Sequence, residues 1–243
     1  LPKIGGEVPA DTSVLRQVAQ AVGFEFLTRL LQAGINALNQ PDEQNEKRMF
    51  APLAMTIYSG LCFDPTLAQH PELLARTKSF MYILRSRSEP ELVQESCLCL
   101  LQMASTSKGA EKILENGAGS LIVDCLRTSA QKSEDTSLTT FSSQLVQSLL
   151  YTCRQHPPLR TKIFAPDSPL LNPLASFLKI DQGKMKFAGL QLLAQVFSPF
   201  YDEDVSSIAE VIRRSTNFEE GDTADVPKWS IDLKEGLKAI LSS

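Results

Sequence analysis

Apolar residues recur along the chain at spacings of three and four, the period of a helix buried on one side, and Pro, Gly and Asp/Asn punctuation keeps each run short. The first predicted helix is opened by Asp11 or Thr12, carries Val14, Leu15, Val18, Ala19 and Val22 on one stripe, and stops at Gly23. The next runs from Phe24 to about Leu38 with Leu27, Leu30, Leu31 and Ile35 inward. A third follows Pro41, has Asp42 and Glu43 near the positive end of its dipole, and reaches Cys62 through Phe50, Leu53, Ala54, Ile57, Tyr58 and Leu61. Pro52 lies inside it and is expected to kink or restart it. Asp64 before Pro65 reads as an N-cap opening a short turn to Gln69, and His70-Pro71-Glu72 restarts the chain. Further helices fit residues 77–85, 90–105, 108–115, 118–128, 136–155, 157–164, 169–179, 184–197, 203–215 and 230–241.

One supersecondary order occurs twice. Lys108 to Arg127 gives a short helix, a tight turn at Asn116-Gly117, then a helix with Leu121, Ile122, Cys125 and Leu126 inward. Val14 to Leu31 repeats it around Gly23. The glycines suit a reversal that needs a left-handed residue. This helix-glycine-helix order resembles the armadillo repeat, and Leu27, Phe80, Leu121 and Leu174 mark equivalent positions at intervals that bracket the armadillo and HEAT range of about 40 to 47 residues. A pair of helices with one apolar stripe each cannot bury those stripes alone, so units stack on their neighbours. The expected fold class is all-α, a right-handed armadillo/HEAT-like α-solenoid of about five helical repeats. Residues 1–243 are expected to form a single such domain, a fragment of a longer chain, with a flexible Glu/Asp/Gly/Thr-rich loop at 217–226.

Composition agrees with this reading. Of 243 residues 43% are apolar, too many for a disordered chain. The 34 leucines against 23 valines and isoleucines favour helices, since an unbranched stem loses less rotamer freedom there. No apolar run is long enough to cross a bilayer, and the first residues lack the basic-then-apolar order of a signal peptide. A net charge of −4 gives no global field for nucleic acid, and none is expected as a partner.

The residues that could carry chemistry are few. Cys62, Cys97, Cys99, Cys125 and Cys153 sit in apolar helical runs and read as buried free thiols in a reduced, cytoplasmic compartment. Cys97 and Cys99, two apart on a helix, point to nearly opposite sides. Cys153 and His156 could share a face, but a structural zinc needs four ligands and His70 is the only other histidine. Glycine-rich phosphate loops, nucleophile elbows and zinc-protease signatures are absent from the sequence, so the expectation is a non-enzyme with no cofactor and no metal.

Two stretches match more than a generic repeat. Ala21-Val22-Gly23-Phe24-Glu25-Phe26-Leu27-Thr28-Arg29-Leu30-Leu31 resembles the AVGF-x-F-x-x-RLL stretch of the neurochondrin family. Asp64-Pro65-Thr66-Leu67-Ala68-Gln69-His70-Pro71 is similar to that family's DP-x-LA-x-HP segment at about the same distance downstream. The resemblance covers residues 18 to about 128 and returns in Asp232 to Ser243, which looks like the family's DL-x-x-GL-x-x-ILSS. It implies a leucine-rich, cytosolic helical-repeat adaptor without catalytic activity, belonging to longer proteins that bind receptor cytoplasmic segments. Within the matched stretches Phe24, Phe26, Leu30 and Leu31 read as core and Arg29 as solvent-facing. Asp64 reads as an N-cap, and His70 as satisfying a turn carbonyl.

A protein partner is therefore expected, on surface residues. The candidates are Arg29, Arg85, Arg87, Lys108, Lys112, Arg160, Lys162, Lys184 and Lys186, with Arg213 and Arg214 continuing the series. On one side of successive repeats they would form a basic stripe for an acidic tail, a phosphopeptide or lipid head groups. Acidic clusters at Glu89 to Glu95, Asp202 to Asp204 and Glu219 to Asp225 argue for a mixed surface instead. Peripheral membrane binding through the stripe and a nuclear-transport-like or other regulatory HEAT/armadillo role are the alternatives. The single Trp229 leaves no tryptophan ladder for importin-like recognition.

Overall fold

The computed structural model describes residues 23–38, 46–86, 89–131, 137–163, 165 and 167–178, with isolated positions at 14, 17, 20–21, 185, 188–189 and 192. Among the described residues every regular element is a helix: α1 (Phe24–Leu38), α2 (Phe50–Cys62), α3 (Pro71–Leu74), α4 (Thr77–Ser86), α5 (Pro90–Ala104), α6 (Ser107–Glu115), α7 (Ala118–Gln131), α8 (Ser137–Gln155), α9 (Pro157–Ile163) and α10 (Leu171–Leu178). Two 3-10 turns, Glu46–Met49 and Leu67–Gln69, precede α2 and α3. The chain divides into two compact units, Leu1–Lys112 and Ile113–Ser243.

In the first unit α1 packs on α2, α2 on α5, and α4 on α5. The α1–α2 contact is set by small residues: a Cβ added at Gly34 would lie 2.2 Å from the backbone nitrogen of Ala51, so only glycine lets the two helices approach this closely. Around that crossing Leu27, Leu31, Ala54, Met55, Tyr58 and Leu61 are all at most 2% exposed. Burial of one such leucine stabilises the fold by about 1.5–3 kcal/mol. Pro52 sits in the first turn of α2, where its missing N–H removes no helical hydrogen bond; the expected restart occurs just before it, as the 3-10 turn passes into α-helix.

In the second unit α8 packs on both α7 and α9, and α10 on α7. The Gly119 N–H donates to the Pro169 carbonyl oxygen at 3.3 Å, tying the start of α7 to the turn before α10. Ser168 caps that turn, its Oγ accepting from the N–H groups of Leu170 at 3.3 Å and Leu171 at 3.0 Å. The predicted left-handed turns are present: Gly23 has φ 82° and Gly117 φ 86°. Phe80, Leu121 and Leu174, three of the aligned repeat positions, are buried like Leu27.

Several inward assignments are corrected. Val14, Phe26 and Leu53 are 52%, 54% and 53% exposed, whereas the notion of one apolar stripe had placed them inside. Phe26 is a step of about 100° from Leu27 around the helix, off the Leu27–Leu31–Ile35 line that meets α2. Leu53 is exposed while its neighbours Ala51 and Ala54 are buried, Ala51 lying against Gly34. Phe24, Leu30, Phe50 and Ile57 are half-buried. Helix three begins as a 3-10 turn at Glu46 and becomes α-helical at Phe50, later than the expected start after Pro41. The Asp11/Thr12 cap, Asp42 and Glu43, the 203–215 and 230–241 helices, the 217–226 loop and the Asp232–Ser243 match lie outside the described residues.

Candidate partner-binding surface

The two sequence stretches that carry the family resemblance meet in the first unit. Phe24, first residue of α1, stacks on His70 with ring centroids 4.9 Å apart and planes 17° from parallel. The His70 backbone is extended, with φ −66° and ψ 135°, as an N-cap requires, and its Nδ1 accepts from the Glu72 N–H at 3.3 Å. His70 thus satisfies a turn N–H, a correction to the expected carbonyl, because Pro71 opens the next helix and leaves Glu72 N–H as an orphan donor. Asp64 caps as expected: its Oδ1 accepts from Thr66 N–H at 2.8 Å and Leu67 N–H at 3.4 Å.

In the same unit the hydroxyls of Thr28 and Tyr58 are 3.2 Å apart, and Tyr58 meets Phe80 edge-on with centroids 5.7 Å apart. Burial pushes the Tyr58 phenol above its ordinary value of 10.0, with Glu72 and Cys99 adding to the rise and the Thr28 hydroxyl and Arg76 opposing it. Burial also drives the Cys99 thiol well up, reinforced by a side-chain hydrogen bond with Cys62. Cys62, Cys99, Cys125 and Cys153 are buried free thiols, while Cys97 is half-buried. Cys153 Sγ contacts the Leu150 carbonyl oxygen at 2.9 Å, a packing role. Among the described residues no group of three or more His, Cys, Asp or Glu side chains converges on a metal position, and no helix is long and apolar enough to cross a membrane.

The predicted basic residues fall at separate places. Arg29 is exposed on α1 and paired with Glu25 one turn earlier. Arg85 is exposed in the last turn of α4. Lys108 is exposed at the start of α6, with half-buried Lys112 one turn on. In the second unit Arg160 and Lys162 are exposed in the last turn of α9, where cations complement the helix dipole. Lys162 Nζ reaches Glu115 Oε1 at 3.7 Å, joining α9 to the end of α6. Arg87, Lys184, Lys186, Arg213 and Arg214 lie outside the described residues.

Sequence reading missed the Phe24–His70 stack and the Ser168 cap. The cap had a signal in Ser before Pro and a leucine run. The stack had only the tandem occurrence of the two family-like stretches, since residues so far apart share no periodicity.

The sequence profile of the Neurochondrin family matches residues 6–243. Neurochondrin of Gallus gallus is 28% identical over 115 residues, covering 46% of this chain and 16% of that protein. Neurochondrin of Homo sapiens is 27% identical over 123 residues, covering 48% of this chain and 16% of its own. The match thus spans a small part of these longer proteins. Among solved structures, a designed armadillo repeat protein aligns with a TM-score of 0.42 and 14% identity over 95% of this chain and 92% of that one.

Proposed function

The chain belongs to the neurochondrin family, and on that footing we propose that it is a non-enzymatic, cytoplasmic interaction scaffold that holds partner proteins, among them receptor cytoplasmic segments, on a helical-repeat surface. The observation that carries the reading is the packing: within each unit helices bury themselves against near neighbours in the chain, α1 on α2, α2 on α5 and α7 on α8. A protein built this way gains surface in proportion to its length, and recognition is distributed over that surface. Five cysteines without a disulfide suit a reducing compartment.

Partners engage exposed cations, among them Arg85, Lys108 and Arg160. A carboxylate or phosphate on the partner supplies the charge-assisted hydrogen bonds that these side chains offer. The test is affinity capture from an extract of the source cells by the native chain and by a variant carrying Arg85→Glu, Lys108→Glu and Arg160→Glu, read by quantitative mass spectrometry. A scaffold enriches a discrete set of proteins that the reversed variant loses. Equal recovery by both would remove the cations from the interface, and vesicle lipids retained in place of proteins would favour a membrane-surface role.

A further inference from the structure

Three buried side-chain polar atoms lack a hydrogen-bond partner among the described residues: Arg76 Nε, Glu95 Oε2 and Ser96 Oγ. Two of them belong to one turn of α5, four and three residues before Cys99, the spacing at which helical side chains are neighbours. Cys99 in turn shares a side-chain hydrogen bond with Cys62, the last residue of α2. Both cysteines are at most 1% exposed, where α2 and α5 pack together. A thiol pair across two helices, with a shielded carboxylate oxygen and a hydroxyl unengaged on the next turn, has the parts of a redox site: two sulfurs that can join and a base that can move the proton.

We propose that Cys62 and Cys99 form a reversible disulfide that locks α2 to α5 when a hydroperoxide reaches them, with Glu95 carrying the proton. Burial, the hydrogen bond to Cys62 and the Glu95 charge all hold Cys99 as the thiol, which leaves Cys62 to meet the oxidant first. The hydroperoxide converts the Cys62 thiol to a sulfenic acid and departs as the alcohol, or as water when it is hydrogen peroxide. The Cys99 sulfur then attacks the Cys62 sulfur. The S–S bond forms, the S–O bond breaks, and the Cys99 proton passes through Glu95 to the departing hydroxide, which leaves as water. The Ser96 hydroxyl offers that oxygen a hydrogen bond. The two thiols give up two electrons between them, and the peroxide O–O bond takes them up.

Local opening gates the reaction. Both sulfurs are shielded, so the oxidant enters as the last turn of α2 frays, and helix ends open at the least cost. The bond closes a loop around the Asp64–His70 turn, α3 and α4, and holds the first unit shut until a thiol reductant reverses it. The inference stands apart from the scaffold reading, since it concerns how the first unit opens and not what it binds.

The test treats the reduced 243-residue chain with hydrogen peroxide in native buffer, alkylating samples at intervals. Non-reducing peptide mapping is expected to find Cys62 joined to Cys99 within one chain, at a mass lower by two hydrogens and with a raised urea midpoint. Dithiothreitol should restore both the mass and the midpoint. Cys97→Ser removes the half-buried thiol on the nearly opposite side of α5 and should leave the link unchanged. Glu95→Gln keeps the size of the side chain and should slow linking about tenfold while the reduced chain melts at an unchanged temperature. In Cys99→Ala a sulfenic-acid trap should collect on Cys62. Oxidation confined to Cys97, disulfides between copies, or a Cys62–Cys99 link made only in unfolding urea would overturn the inference. So would a link that leaves the urea midpoint where it was, or a Glu95→Gln chain that links at the native rate.

Discussion

His70 lies flat against Phe24, ring centroids 4.9 Å apart, and thereby joins the start of α1 to the turn that opens α3. The same imidazole caps the following helix through its Nδ1. Packing and capping are the interactions these two residues make here. Substituting His70 with Ala is expected to cost about 1–2 kcal/mol, the cap and the stack together. A double-mutant cycle with Phe24→Ala, followed by urea denaturation, should return a coupling of about 0.5–1.5 kcal/mol. Additive losses would show that the rings touch without stabilising one another.

Gly117 turns the chain between α6 and α7 with φ 86°. Gly117→Val should cost about 1–3 kcal/mol, because a β-branched side chain is strained in the left-handed region whatever space surrounds it. Gly117→Asn should cost less, since asparagine tolerates that conformation. Thermal melts of the two variants provide the check; equal stability would show that the turn relaxes to another conformation.

Thiol accessibility should sort by burial. Cys97 is half-buried, while the other four cysteines are buried and the Cys99 thiol is pushed well up by burial. A disulfide reagent at pH 8 is expected to label Cys97 first, with the others following at the rate of local opening. Peptide mapping identifies the site. Early labelling of Cys99 would mean that the α2–α5 contact opens readily.

Alkaline pH should destabilise the first unit. Tyr58 is raised above 10.0 in the folded chain, so the fold favours its protonated form. Its contribution is full below the unfolded value and is lost as pH rises through the folded one. The raised Cys99 thiol acts in the same direction. Urea midpoints measured at neutral pH and above pH 10 should fall more for the native chain than for Tyr58→Phe, which no longer titrates.

The sequence disclosed element type and most boundaries because helical periodicity and punctuation are local signals. Gly23 and Gly117, Asp64 before its proline, and the buried Leu27, Leu121 and Leu174 were all readable for that reason. Exposure of Phe26 and Leu53 was not, since apolar character says nothing about which neighbour arrives. The close Gly34–Ala51 approach was not legible either, since small residues leave no hydrophobic peak in a sequence. For the surface, the basic residues were legible as residues, whereas the pairing of Arg29 with Glu25 and Lys162 with Glu115 depended on which helix turn or element lay alongside.

The scaffold claim is tested most directly by titrating the purified chain with a captured partner in a calorimeter. The native chain should bind with a defined stoichiometry, and the Arg85→Glu, Lys108→Glu, Arg160→Glu variant about tenfold or more weakly at an unchanged melting temperature. Binding of undiminished strength by the reversed variant, or no direct binding by the native chain, would contradict it.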